Sequence, residues 1–291
     1  MPTEDGLAGD FEAQRGHLHA VAYRMLGSPS EADDAVQETW LRLARHDVDD
    51  VRNLPGWLTT VVSRICLDML RARAARREEP LDHPSLDRGA EENEPEGEAV
   101  LIESVGRALL VVLDRLGPDE RVAFVLHDLF AVPFDEIAPI VGRTTPTTKK
   151  LASRARQRVR GVDVTADPER TAQRHVVEAF LRAARGGDLD GLLTVLAPDV
   201  VRTADAAALP AGVATTVRGA ASVAAETVLL RRRSQVAALA LVDGHAGIVV
   251  APHGRLLLAL TVTVRGDRVA GYRVIADPSR LRELPISLLH R

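Results

Sequence analysis

The stretch Val132–Val159, VPFDEIAPIVGRTTPTTKKLASRARQRV, decides how the first half of the chain is read. Phe134 to Val141 suit a short amphipathic helix. Gly142 follows, the residue that most easily takes the left-handed conformation closing a helix. Thr144 or Thr145 can cap a second helix, and Pro146 fits only in its first turn, where a missing N–H costs nothing. The pattern is that of a helix-turn-helix. In such a motif the start of the second helix enters the major groove, which assigns Thr147, Thr148, Lys149 and Lys150 to base edges. Arg143, Arg154, Arg156 and Arg158 suit phosphates. Gly142 to Arg160 hold seven basic residues and no acidic one, in a chain of formal net charge -4. This segregation points to DNA. Neutralising about five phosphates predicts a slope of log affinity against log salt of roughly -4 to -5.

Upstream, helical spacing continues to the amino terminus. Phe11, Leu18, Val21, Ala22, Met25 and Leu26 mark a first helix that breaks at LGSPSE. Ser28, Pro29 and Glu31 form the cap, first position and reciprocal capping-box member of a second. Its apolar stripe reads Ala32, Ala35, Val36, Trp40 and Leu43, leaving Asp34, Gln37, Glu38 and Arg42 towards solvent. A third helix follows NLPGW, burying Leu58, Val61, Val62, Ile65 and Met69 and ending in a basic tail. Residues 78–98 turn to proline, glycine and acids with no period, a solvated linker. Helical periodicity resumes at Val100 and runs through LLVVLDRLGPDERVAFVLHDLF.

Beyond GVDVTADPE the pattern changes. One amphipathic helix, RTAQRHVVEAFLRAARGGD, leads to β-branched runs: ATTVRGAAS, QVAALALVDGHAGIVV and RLLLALTVTVRGDRVAGYRVI. Their DG, HG and GD turns predict antiparallel hairpins. The chain of 291 residues, 46% apolar, has material for more than one core. Cys66 is the only cysteine, which excludes an internal disulfide. No apolar run is long enough to span a membrane, and the acidic start is unlike a signal peptide, so a cytoplasmic address without membrane contact is expected. No motif calls for a metal or cofactor.

Taken together, SEADDAVQETWLRLARH, LPGWLTTVVSRICLDMLRARAARR and the segment from Leu116 to Val159 resemble, in order, three parts of bacterial sigma factors of the extracytoplasmic-function type. The resemblance implies a transcription initiation factor, not an enzyme, whose partners are RNA polymerase core and promoter DNA. It assigns Asp34, Gln37, Glu38 and a supporting Trp40 to the polymerase. It places the -10 element on Arg64, Asp68, Arg71 and Arg73 of the third helix, with Asn53 and a bracing Trp57 beside the loop His46–Pro55 that would hold a flipped base. It assigns the helix-turn-helix to the -35 element. The implied fold is multidomain: two all-α sigma domains, 1–77 and 99–162, joined by the linker 78–98 and followed by an α+β SnoaL-like cone, 163–291. Twenty-one linker residues reach on the order of 70 Å only when nearly extended and average nearer about 25 Å when free, so the unbound protein is expected to be compact and to open on the polymerase.

A subgroup of these sigma factors, the sigma-J type, carries such a cone. VIADPSRLREL resembles an Asn-Pro-Asp-Lys-Leu-like motif near its end, matched by Asp277, Pro278 and Leu281 and departed from at Ala276, Ser279 and Arg280. A glycine-rich motif after an aspartate is replaced by Asp205 followed by three alanines. These residues are assigned a regulatory role, and a small ligand in the cone is left open. Asp199, Asp205, His245 and His253 are the acid-base candidates if the cone is a catalyst. Two rival readings stand beside the initiation factor: a ligand-sensing repressor, and a cyclase or isomerase with a DNA-binding appendage.

Overall fold

The computed structural model describes residues 4–45, 53–77, 99–160, 167–209 and 214–289. The linker 78–98 and residues 46–52 of the expected base pocket lie outside the described residues. By packing, the described residues up to Arg77 join Leu113–Gln157 in one unit, and those from Ala99 to Val112 join Arg158 onward in another.

The first unit is helical. Its α1 (Glu4–Leu26), α2 (Pro29–Ala44) and α3 (Leu54–Arg77) pack against one another. All six apolar positions expected of α1 are buried. On α2 the stripe is Ala32, Ala35, Val36, Thr39 and Leu43. Thr39 takes the place expected of Trp40, and its hydroxyl donates to the Ala35 carbonyl at 2.7 Å, so its burial leaves no donor unmet. Trp40 is half-buried, its ring tilted against Phe11 at 5.1 Å between centroids.

On α3 Leu58, Val62 and Ile65 are buried as expected, Val61 and Met69 only half so, and Cys66, Leu67 and Leu70 are buried in addition. The reason is that α3 is covered twice. The helices α1 and α2 take one side, and α5 (Pro118–Phe124) and α6 (Phe134–Val141) pack on it as well. The helical run expected from Val100 is interrupted: α4 spans Ala99–Asp114, and the chain restarts at Pro118 with the Glu120 carboxylate accepting from Gly117 N–H at 3.4 Å. Val125–Leu129 then widen into a π-turn. Gly142 has φ 67° and ends α6, and α7 (Thr145–Arg160) follows. Thr144, rather than Thr145, is the cap: its hydroxyl accepts from Thr147 N–H at 3.4 Å.

The second unit holds α8 (Pro168–Gly186), α9 (Leu189–Val195), α10 (Ala220–Leu229), α11 (Arg231–Gln235) and α12 (Pro278–Glu283) with a seven-stranded sheet. The strands are β1 (Leu196–Ala204), β2 (Thr216–Arg218), β3 (Ala237–Val242), β4 (His245–Val250), β5 (Leu258–Arg265), β6 (Arg268–Ile275) and β7 (Ile286–Ser287), in the order β2-β1-β6-β5-β4-β3-β7. Asp243 and Gly244, both at positive φ, form the tight turn from β3 to β4, and Gly266 opens the turn from β5 to β6. The HG pair lies instead in a 3-10 turn, Pro252–Gly254, inside a longer connection. One further expectation is corrected. ATTVRGAAS gives a strand of three residues, because Gly219 at φ 88° ends it and its alanines open α10. The sheet is also mixed, since β1 runs parallel to β6.

A Cβ built at Gly142 meets nothing within 4 Å, so a side chain there costs only backbone strain. At roughly 1–2 kcal/mol, Gly142→Val should speed amide exchange in α6 and α7 about tenfold and leave β3 and β4 unchanged, by hydrogen-exchange mass spectrometry.

Candidate nucleic-acid and polymerase interface

The second helix offers a polar face. Asp34 and Gln37 are exposed, and Glu38 is half-buried with its carboxylate accepting from Arg42 Nε at 3.0 Å. The cap at Ser28 forms, its hydroxyl accepting from Glu31 N–H at 3.4 Å. The reciprocal half does not: the Glu31 carboxylate pairs with Arg73, a charged donor that outcompetes a neutral N–H. Arg73 also donates to the Leu26 carbonyl at 3.2 Å. It therefore ties the tail of α3 to the α1–α2 turn rather than standing free for DNA.

At the start of α3, Asn53 accepts from Gly56 N–H at 3.1 Å and caps the helix. Trp57 is half-buried nearby, while Arg64 and Asp68 are exposed. Arg71 reaches across. Its Nη2 donates to the Asp119 carboxylate at 2.8 Å and to the Val141 carbonyl, at the end of α6, at 3.4 Å. The other oxygen of Asp119 accepts from Arg143 Nη2 at 3.3 Å. One carboxylate thus holds an arginine assigned to the -10 element and one assigned to the -35 element. The Phe130 and His17 rings meet in a T-shaped contact at 5.5 Å between centroids in the same unit. Beneath lies Cys66, whose thiol burial pushes up to about 12 against the nearby Arg121 guanidinium, so it is not a reactive thiolate.

Along α7, Thr147, Lys149, Lys150, Arg154 and Arg158 are exposed. Thr148 is the correction: it is 0% exposed and its hydroxyl donates to the Thr144 carbonyl at 3.0 Å, so it is a core position. Arg156 is ion-paired with Asp128 of the π-turn. Asp119 and Asp128, the acids that cover this basic surface, were not singled out by sequence. Their only signal is that they are carboxylates upstream of the acid-free stretch Gly142–Arg160.

In the second unit the two regulatory stretches meet. The Asp205 carboxylate accepts from the Ala276 and Asp277 amides at 3.2 and 3.3 Å and pairs with Arg280. Asp277 caps α12, accepting from Arg280 N–H at 3.0 Å; the Ser279 hydroxyl, then the Arg280 amide, hold its carboxyl below the usual range. Pro278 is the first residue of α12 and Leu281 is buried beneath it. Of the acid-base candidates, Asp205 is taken up by this joint, Asp199 pairs with Arg265 at 3.4 Å on the surface, and the His245 ring meets the Asp243 carbonyl at 2.8 Å in a hairpin. The side chain of His253 lies outside the described residues. Among the described residues no cluster of His, Cys, Asp and Glu is placed to hold a metal, and no helix is long and apolar enough to cross a membrane.

A helix-turn-helix behind a three-helix unit with a polar face and a basic tail is the architecture of a sigma factor. Residues 11–76 match Sigma-70 region 2, and residues 106–159 match Sigma-70, region 4. The chain is 38% identical to ECF RNA polymerase sigma factor SigJ of Mycobacterium tuberculosis, over 95% of this chain and 94% of that one. It is 34% identical to a "Probable ECF RNA polymerase sigma factor SigI" of the same organism, over 99% of each. The crystal structure of Mycobacterium tuberculosis SigJ aligns at TM-score 0.43 and 34% identity, covering 94% of this chain and 98% of that one. The chain belongs to the ECF RNA polymerase sigma factors and is a transcription initiation factor. The repressor reading gives way to this one.

Both arginines on Asp119 are about half exposed, so Asp119→Asn should change folding stability by no more than about 1 kcal/mol in a denaturant titration. The same change should raise non-specific DNA affinity at low salt, by fluorescence anisotropy, and adding Arg143→Gln should cancel most of the gain.

Proposed function

We propose that the chain binds RNA polymerase core through Asp34, Gln37 and Glu38, with Trp40 fixing that face against Phe11. The -35 element is read by Thr147, Lys149 and Lys150, with Arg143, Arg154 and Arg158 on phosphates. The -10 element is met by Arg64, Asp68 and Arg71 with Asn53 and Trp57, while Arg73 and Thr148 hold structure. The protein is not an enzyme and works in the cytoplasm, on the polymerase and promoter. Its functional divisions are 1–77, 99–162 and 163–291, with the last modulating the first two through the joint of Asp205 with Asp277, Pro278 and Leu281.

The observation that carries this reading is the double use of Asp119. An acid that occupies Arg71 and Arg143 together stands where promoter phosphates would in this reading, which supports a factor closed on itself when free. Opening exchanges one carboxylate for phosphates on two separate stretches of duplex, and the polymerase supplies the spacing. Salt competes with the phosphate contacts, so promoter binding by the open form weakens steeply as salt rises.

Run-off transcription with purified core polymerase tests the assignment. Replacing Asp34, Gln37 and Glu38 together by alanine should reduce promoter-specific RNA at least about tenfold, the effect expected for losing roughly 1.4 kcal/mol of binding. Replacing Arg143, Arg154 and Arg158 by glutamine should flatten the salt slope of promoter binding by about 2 to 3, at ~0.9 for each phosphate no longer neutralised. Unchanged transcription in the first variant would contradict the polymerase assignment.

A further inference from the structure

The C-terminal unit is not packed solid. Between its sheet and the helices α8 and α10 lies a cavity of about 90 Å³, walled by Phe180, Leu181, Ile248, Leu258, Leu260 and Val274. Its polar wall is already satisfied from within. Arg202, 2% exposed, donates Nε–H to Glu226 at 3.0 Å, pairs a second time with the same carboxylate, and donates Nη1–H to the Ala214 carbonyl at 2.9 Å. The Thr227 hydroxyl donates to the Val223 carbonyl at 2.7 Å and meets the Tyr272 hydroxyl at 3.3 Å. Burial, the main cause, pushes Tyr272 up to about 12, so the phenol stays neutral. An interior with apolar walls and a neutralised ion pair suits hydrocarbon rather than a charged group.

The rim has the opposite character. Half-buried Leu230, Arg233 and Ser234 line the cavity as well, and Arg185 lies beside Ser234. Arg185 donates to the Ser234 carbonyl at 3.3 Å and to that of Ala237. Arg231 donates to the Arg185 carbonyl at 3.2 Å, and Arg233 to the Ala208 carbonyl at 3.1 Å. Among the described residues no carboxylate pairs with Arg185, Arg231, Arg232 or Arg233. Arg233 in the lining, Arg185 beside it and Arg231 bonded to the Arg185 carbonyl thus bring three guanidinium charges together at one side of an apolar cavity, with carbonyl dipoles as their partners. Burial first, and Arg107 second, lower Arg185 to about 10, a cost that a bound anion would relieve. Next to this rim Leu229 is 85% exposed.

We propose that the cavity takes the hydrocarbon tail of a monomeric anionic amphiphile, a medium-chain carboxylate, whose head group is held at the rim by Arg233 and Arg185. At about 10–15 Å³ for each water-sized site, the cavity has room for roughly six to nine such sites and a tail of about as many carbons. The head group then stays at the mouth, where the guanidinium forks match a carboxylate. This site is separate from the promoter-reading surface, and its occupancy is read without polymerase, so it stands or falls independently of the function proposed above.

Isothermal titration calorimetry of the full-length protein with sodium octanoate tests it, with sodium butanoate, octan-1-ol and octylammonium chloride as the comparison set. The expected result is saturable binding of one octanoate per chain, at least tenfold tighter than butanoate or octylammonium. Arg233→Gln should weaken octanoate about tenfold and leave octan-1-ol within twofold, which a merely structural loss would not do. Ala184→Phe, which fills the cavity from α8, should abolish both while circular dichroism shows the fold retained; Leu260→Trp is the second filling variant if Ala184→Phe does not fold. Equal binding of octanoate and octylammonium, octanoate binding that survives a folded filling variant, or no octanoate binding up to 5 mM, about the weakest affinity such a site would have, overturns the proposal.

Discussion

A cation that reads DNA must face outward, yet in the free chain it needs a counter-ion. Asp119 holds two cations proposed for that role, taking Arg71 on one oxygen and Arg143 on the other. Arg71 also donates to the Val141 carbonyl at the end of α6, a favourable place for a positive charge. The ion pairs are solvent-accessible and individually weak. What makes them effective is the apolar surface beneath, where α3 buries Cys66, Leu67 and Leu70 that a helix packed on one side would leave wet. Burial of that surface supplies stability, and the shared carboxylate supplies register and charge matching.

This division of labour explains why some residues assigned to DNA are not at the surface. Arg73 is half-buried between Glu31 and the Leu26 carbonyl, fixing the direction in which α3 leaves the helical unit. Thr148 sits one turn before Ala152 on the inward stripe that continues through Ala155 and Val159. The exposed Thr147, Lys149 and Lys150 are therefore held by a helix whose back is fixed to the core. Reading side chains need such backing, since a guanidinium or ammonium that moves with its helix discriminates poorly between bases.

Local chemistry made the helix-turn-helix legible. Gly142 at positive φ, the Thr144 cap and Pro146 in the first turn each act within four residues, as do the Asp243–Gly244 turn and the Ser28 cap. Two buried threonines were also within reach of the pattern: Thr39 falls on the Ala32–Val36–Leu43 stripe and Thr148 on the Ala152–Ala155–Val159 stripe, but a hydroxyl does not advertise burial when it bonds to its own helix. Other features had no local signal. The pairing of Arg71 with Asp119, the parallel contact of β1 with β6, and the meeting of Asp205 with α12 all join segments far apart in the chain. The two acids over the basic surface had no periodicity to mark them, because a carboxylate that faces a partner and one that faces water look alike in a sequence.

The central claim is that the two promoter-reading modules are closed on each other in the free chain and separate on the polymerase. Cys66 is buried with its thiol held neutral, so cysteines placed at the exposed positions Arg76 and Gln157 can be labelled selectively. Single-molecule energy transfer between those labels, recorded for the free protein and again with core polymerase and promoter DNA, measures the separation directly. The account predicts one high-transfer population when free and a shift to low transfer in the complex, with Asp119→Asn adding a low-transfer fraction before polymerase is present. The same transfer efficiency in both states would contradict it.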